Sequence, residues 1–184
     1  ITLPLGRALR VEMLIQTSVT GYVPFARRNN ELDSHSHGLF NPRAFDLLYK
    51  GLNKCIQKNT NLPSKIYLKR SSGHRNVINS EALEAVLIEK GYVIVDPCNL
   101  DFVEQLNYIC NATHVVGATG AALANLIFNR QCSTVVVLMG KHGNMSYRYW
   151  ANMLQPLGLN VKYVLGEQLK QNEPTIHGDF WIDP

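Results

Sequence analysis

The chain lacks the marks of several protein classes. No two of its four cysteines (Cys55, Cys98, Cys110, Cys132) stand at CxxC spacing, and no Cys/His cluster falls at zinc-site intervals. A chain of this length can bury about 70% of its unfolded surface without staples. The cysteines therefore read as reduced, small apolar residues. No apolar run nears the roughly 18 residues of a membrane span, and no signal peptide opens the chain, so a cytoplasmic location is expected, free or peripheral to a membrane. Charged residues make up only 17% against 46% hydrophobic ones, which excludes a disordered chain. No internal repeat or low-complexity tract occurs. A formal net charge of +4 is too small to mark a nucleic-acid binder, and no nucleic-acid partner is expected. The chain opens at Ile1 rather than Met, so a longer parent protein is expected, with either a missing N-terminal half or a second copy as partner. Asn111-Ala112-Thr113 and Asn144-Met145-Ser146 match the glycosylation sequon, but this much Asn, Ser and Thr yields such matches by chance.

Acidic residues are missing from two long spans. Between Leu47 and Ser80 there is none, while Lys50, Lys54, Lys58, Lys65, Lys69, Arg70 and Arg75 all fall there. With those seven set aside from the 18 basic residues, 11 remain against 14 acidic ones, so the rest of the chain is net negative. Lys50, Lys54 and Lys58 read as a solvated helix face. Acids are absent again between Glu104 and Glu167, and no Asp-x-Asp occurs anywhere, so a carboxylate-held Mg²⁺ or Mn²⁺ has no evident ligands. His35 and His37 are close enough to chelate but lack a third ligand and read as exposed loop histidines. Neither a metal nor a cofactor is expected.

What is present is a regular alternation. Val11–Gln16 and Gly21–Phe25 are candidate strands, followed by a polar loop from Arg27 to His37. Pro42 suits a first helical turn, and Phe45, Leu48, Tyr49, Leu52 and Ile56 recur at helical spacing. Beyond Asn59–Pro63 the pattern predicts strands at Lys65–Leu68, Tyr92–Val95, His114–Val116, Thr134–Met139 and Asn160–Leu165. Helices are predicted between them at Ser80–Lys90 (with Gly91 as C-cap), from Asp101 and its capping-box Glu104 to about Cys110, at Ala121–Phe128 and at Tyr147–Leu157. The tail from Lys170 has no pattern. Strands that are unbroken apolar runs, each followed by a helix, predict an α/β, Rossmann-like three-layer domain with a mostly parallel sheet, as one domain over 1–184 with an irregular part over 1–41.

In such sheets ligands bind beyond the carboxyl ends of the strands. Two loops lie there. Lys69-Arg70-Ser71-Ser72-Gly73-His74-Arg75 offers cations, hydroxyls and an imidazole with no carboxylate among them, and Arg suits phosphate because its planar fork donates two parallel hydrogen bonds. The alternative is a flexible basic surface loop. Gly117-Ala118-Thr119-Gly120-Ala121, running on to Asn125, has small residues ahead of a helix, where a backbone can approach an anion such as a diphosphate. Its alternative is a tight turn for helix–sheet packing. A nicotinamide site fits poorly. Leu123 stands where the third fingerprint glycine belongs, no acid follows to hold the ribose, and neither Tyr147 nor Tyr163 has Lys four residues on.

Taken together the loops resemble a family. Lys65-Ile-Tyr-Leu-Lys-Arg70, Arg75-Asn-Val-Ile-Asn79 with Glu81, Gly91-Tyr-Val-Ile-Val-Asp-Pro97, Phe102, Gln105, Ala112 and Val115-Val-Gly-Ala-Thr-Gly-Ala-Ala-Leu-Ala-Asn125 with Phe128 follow one another as in the family 61 glycosyltransferases. The resemblance covers 65–165, the nucleotide-sugar-binding core, and more loosely His37–Ile56. It implies an inverting, metal-independent enzyme that moves a sugar from a nucleotide diphosphate, usually UDP, to a glycan or protein hydroxyl. It also implies one half, the C-terminal donor-binding half, of a two-lobed GT-B architecture; bacterial relatives are often capsular polysaccharide biosynthesis proteins. Carried over by position, Arg70 and Arg75 would hold the donor phosphates. Lys69 and His74 belong to the same loop, and Asn79 would orient that loop or cap the next helix. Gln105 would face the cleft or simply lie on a helix surface. Gly117, Ala118, Thr119, Gly120, Ala121 and Asn125 would line the diphosphate side. The chain departs from the family at Thr119, Ala122 and Val137, where His, Gly and often Glu are typical. A general base is not identified, and the alternative is a non-catalytic nucleotide-sugar-binding or assembly module with a degenerate transferase fold.

Overall fold

The computed structural model describes residues 12–13, 19–22, 38–56, 61–142, 147–168 and 177–184. The candidate strand Val11–Gln16, the loop from Arg27 to His37 with both its histidines, and Lys58 fall wholly or mostly outside them.

Gly21–Tyr22 (β1) pairs antiparallel with Leu39–Phe40 (β2). Pro42–Leu52 (α1) follows, its first turn capped by Asn41, whose side-chain oxygen accepts from the Arg43 N–H at 3.0 Å. Phe45, Tyr49, Leu52 and Ile56 pack inward as their spacing predicts, whereas Leu48 stays half exposed beside the stripe. Lys50 and Lys54 are exposed, as a solvated helix face requires.

The main sheet has five strands, all parallel: Lys65–Leu68 (β3), Val93–Val95 (β4), His114–Ala118 (β5), Thr134–Gly140 (β6) and Asn160–Gly166 (β7), in the order β4-β3-β5-β6-β7. Ser80–Glu89 (α2), Phe102–Asn111 (α3), Ala121–Ala124 (α4) and Tyr149–Leu154 (α5) connect them in turn. Successive strand residues point to opposite faces, and both faces are largely buried in the central strands β3, β5 and β6, while the edge strands β4 and β7 are partly exposed. Ile66, Leu68, Val115, Val135, Val137 and Val161 meet Ile109 of α3, Leu123 of α4 and Trp150, Met153 and Leu154 of α5. Tyr67, Val116, Ala118 and Leu138 meet Leu83 and Leu87 of α2 on the other side. The domain is therefore a Rossmann-like three-layer α/β fold, as expected from the sequence.

Local signals explain the helix limits. Asp101 and Glu104 exchange the two capping-box bonds at 2.8 Å each, and Gly91 ends α2 with φ +81, a left-handed backbone that glycine adopts without strain. Several boundaries differ from expectation: the helix expected over Tyr147–Leu157 is Tyr149–Leu154 followed by a 3-10 turn at Gln155–Leu157, and two further differences fall at the sheet's carboxyl edge. β5 runs two residues further, through Gly117 and Ala118, which pair with Val137 and Leu138; small residues donate to a ladder as well as large ones. The helix expected over Ala121–Phe128 is one α-turn continued by a 3-10 turn at Asn125–Phe128.

The patternless tail contains a structural element. Phe180 and Ile182 are buried at 0% and 2% exposure in the α2-side core, and Phe180 bridges Val77 while Trp181 bridges Glu167 just past β7. This segment covers the end of the sheet that α2 leaves open.

Candidate functional site

The chain enters the sheet at β3, turns outward to β4, then crosses back to β5 on the other side of β3. The order reverses between β3 and β5, and beyond their carboxyl ends the following loops diverge to leave a crevice. A cleft of about 370 Å³ lies there, lined by Leu68 to Ser72, Pro97, Cys98, Gln105, Ala118, Gly120 to Ala122 and Asn125. Its size is at the low end of the roughly 300–1,000 Å³ of ligand pockets, enough for part of a large ligand. The two loops singled out by sequence are thus brought together.

Arg70 is the centre of the arrangement. Its Nε–H donates to the His74 carbonyl at 3.0 Å, and its Nη1 lies against Gly120, where an added Cβ would collide with it. Burial and the charge of Arg75 lower its pKa, while Asp179 raises it; an arginine nonetheless stays protonated at neutral pH. Among the described residues neither Arg70 nor Arg75 forms an ion pair. Arg75 holds a left-handed backbone at φ 60, unusual without glycine, and its Nη2 is 3.2 Å from His74 Nε2. Among the described residues the buried Arg75 Nε–H has no acceptor. Partial desolvation and the two guanidiniums hold the His74 imidazole below its usual pKa, which favours the neutral ring at pH 7.

Other candidates are placed differently. Lys69 reaches Glu84 on α2 at 3.0 Å, so tertiary structure supplies the carboxylate that the local sequence lacks. Gln105 donates to the carbonyls of Pro97 and Leu100 at 2.9 and 3.1 Å and accepts from Asn125 at 3.2 Å, which joins three segments around the cleft. Asn79 makes no side-chain cap to α2. Its amide instead donates to the Ile182 carbonyl at 2.6 Å and accepts the Ile182 N–H at 3.1 Å. Gly117 lies within β5, where an added Cβ would sit 3.1 Å from Leu123 and 3.3 Å from Leu68; its smallness serves packing, while that of Gly120 opens the cleft. Ala118 is buried at the end of β5, and Ala121 is exposed at the cleft. Thr119 is buried and turned inward, accepting from Trp150 Nε1 at 3.0 Å. α4 is too short to carry a full helix dipole, so the positive potential here comes from Arg70 more than from a helix end.

Two residues not expected at the site, Asp96 and Cys98, lie beside the Arg70 loop. Asp96 accepts from Ser71 Oγ at 3.4 Å and caps the turn at Cys98 N at 3.0 Å. The Asp-Pro step after a strand was the available signal, since Asp favours such turns. Cys98 is exposed in the cleft wall and Cys55 is exposed elsewhere. Cys110 and Cys132 are buried, and burial pushes both thiols up to about 11.

One substitution separates the cleft from the fold. Gly120 has φ 171, extended backbone open to any residue, and the group in the way of a new Cβ is the end of a flexible side chain. Gly120→Ala is therefore expected to fold, with a melting shift under about 2 °C, while displacing the Arg70 guanidinium. A bound anion should be held roughly tenfold less tightly, the loss of about one charged hydrogen bond. Thermal melting and calorimetry on the same sample check both halves; unaltered anion affinity would show that Arg70 needs no space at Gly120.

A doubly wound parallel sheet, with guanidinium charge that has no ion pair among the described residues and a glycine approach at its switch point, defines an α/β domain suited to an anionic ligand. The chain belongs to a particular family of such domains: the Glycosyltransferase 61 family model matches residues 22–137, which include both loops and β3 to β6 as far as Val137. A protein of this family is a glycosyltransferase, which moves a sugar from an activated donor to an acceptor. No individually curated protein matches the chain. Among the described residues no helix is long and apolar enough to cross a membrane, and no three His, Cys, Asp or Glu side chains gather as for a metal.

Proposed function

We propose that this chain binds the donor of a glycosyl transfer, a nucleotide diphosphate sugar and in particular a UDP-sugar, in the β3/β5 cleft, as one half of a GT-B enzyme acting on a glycan or polysaccharide acceptor. The observation that carries this reading is Arg70, a cation with no ion pair among the described residues, held by the His74 carbonyl against the Gly120 backbone. An inverting transfer has the acceptor hydroxyl oxygen bond to the sugar C1 while the C1–O bond to the diphosphate breaks and the electron pair leaves with UDP. Arg70, with Arg75 beside it, would stabilise the charge that grows on that leaving oxygen. Lys69 is already satisfied by Glu84 and would contribute little. The described cleft lining contains no carboxylate or imidazole, so the acceptor's proton would go to a base outside this cleft. With arginine supplying the charge, transfer would need no metal.

A thiol reports occupancy. At pH 8, thiol reagents should label Cys55 and Cys98 at once and reach Cys110 and Cys132 only on unfolding, because thiols with pKa near 11 are protonated there. Saturating UDP should shield Cys98 and leave Cys55 reactive, and EDTA should change nothing. Equal labelling of Cys98 with and without UDP, alongside no calorimetric binding, would sink this reading.

A second reading has its own observation. Thr119 and Val137, standing where the family typically has His and often Glu, are built into the core, Thr119 on Trp150 and Val137 at 0% exposure. That favours a non-catalytic nucleotide-sugar-binding module. Sugar transfer or UDP-sugar hydrolysis detected with the protein would eliminate it.

A further inference from the structure

The loop that carries Arg70 is fastened to a segment 103 positions away in sequence. The Asn76 N–H donates to Asp179 Oδ1 at 2.8 Å, and the Asn76 amide reaches the same oxygen at 3.3 Å. Phe180 N–H donates to the Asn76 carbonyl at 3.0 Å, and Ile78 N–H to the Phe180 carbonyl at 2.8 Å. The Asn76 side chain then pins Ser72 in both directions, donating to its carbonyl at 2.7 Å and accepting its N–H at 3.2 Å. Ser72 Oγ donates to the His74 carbonyl at 2.7 Å, and that carbonyl also receives Arg70 Nε–H. His177, from the same distant segment, stands edge-on to His74 at 5.1 Å between ring centroids.

We propose that Asp179 is a positioning residue for Arg70, acting through Asn76, Ser72 and the His74 carbonyl to hold the guanidinium against Gly120. The proposal rests on reading the cleft as the donor diphosphate site. It goes beyond the family match, because Asp179 lies outside residues 22–137. Two effects of the carboxylate oppose each other. As an acceptor it fixes Asn76 and so favours binding; as a negative charge near Arg70 it disfavours an anionic guest. Asp179 is exposed, so its charge is screened by water and the acceptor role wins.

The two roles separate by substitution. D179N keeps an oxygen for the Asn76 N–H and removes the charge, whereas D179A removes both. Calorimetry with UDP should find D179A weaker by about tenfold, as for one charged hydrogen bond lost, and D179N within about twofold of wild type or tighter, as for a screened charge. Amide hydrogen exchange at Asn76, which needs no nucleotide, should quicken in D179A and stay protected in D179N. Equal UDP affinity for D179A and wild type, or an equal loss in D179N and D179A, overturns the proposal. If wild type itself does not bind UDP, exchange decides alone. Unchanged protection in D179A then refutes the tether, while faster exchange upholds the tether and refutes only the nucleotide reading.

Discussion

Arg70→Ala is expected to weaken UDP binding by about 10- to 150-fold, or roughly 1.5–3 kcal/mol, with the fold intact. The range is that of a hydrogen bond to a charged group, and Arg70 can place two parallel N–H donors on a diphosphate. Its Nε is already spent on the His74 carbonyl, so the remaining guanidinium nitrogens are the ones left for a ligand. Removing the side chain takes one donor from the His74 carbonyl, which is exposed and keeps Ser72 Oγ. Arg75→Ala should fall in the same range if its guanidinium reaches the phosphates, although it does not line the cleft as Arg70 does. Arg70→Lys is the informative control. An ammonium keeps the charge but loses the planar fork, so affinity should fall between wild type and alanine. Isothermal calorimetry across the three proteins checks the order. Equal affinities in all three would remove Arg70 from the site.

Phe180→Ala should destabilise the protein by about 3–5 kcal/mol, the cost of losing a buried aromatic side chain and leaving a cavity. At roughly 2–4 °C per kcal/mol for a chain of this size, the melting midpoint should drop by at least about 6 °C. Phe180 is fully buried among Tyr67, Val77, Leu83 and Leu138, on the face that α2 covers only in part. Gly166 and Gly140 leave room for this packing: an added Cβ on Gly166 would run into the Trp181 carbonyl, and one on Gly140 into Gln168. Because Asn76 and Ile78 bond to the Phe180 backbone, the loss should also loosen the Arg70 loop, and UDP affinity should fall with stability. Urea unfolding of wild type and variant gives the number. A change below about 1 kcal/mol would mean that residues 180–182 do not dock in solution.

The parts of the molecule that could be read from sequence are those whose signal is local. Apolar runs marked β3 to β6, because strands between helix layers need little polar alternation, whereas the edge strand β7 is interrupted by Lys162 and exposed at Asn160, Lys162, Val164 and Leu165. Asp101 with Glu104, and Gly91, marked helix ends through bonds made within a few residues. The two site loops could be singled out because the carboxyl ends of parallel strands are where a ligand can enter, and because Arg70 and Gly120 have the chemistry an anion needs.

The direction in which each candidate side chain points was not legible. Lys69 and Arg70 are neighbours of like charge, yet adjacent residues leave a strand on opposite sides. One meets Glu84 and the other faces Gly120. Gly117 and Gly120 look alike in sequence, but the strand continues through the first and ends before the second, so one packs on Leu123 and the other gives Arg70 its place. Asn79 had a good local role as a cap, and a backbone 103 residues away took its side chain instead. The tail was silent because two buried apolar residues, Phe180 and Ile182, are too few to show a period, and the groups that bond to it lie far earlier in the chain.

By itself, then, the sequence determined the layered α/β fold, the two loops at the sheet's carboxyl edge and the absence of acids within them, since hydrophobic periodicity and local charge are properties of short stretches. Tertiary structure decided that Lys69 is paired while Arg70 has no ion pair among the described residues, which glycine makes room for Arg70 and which distant residues tether its loop. These depend on pairs of groups brought together across the switch point and from the far end of the chain, and such pairing is settled only when the sheet closes against its helices.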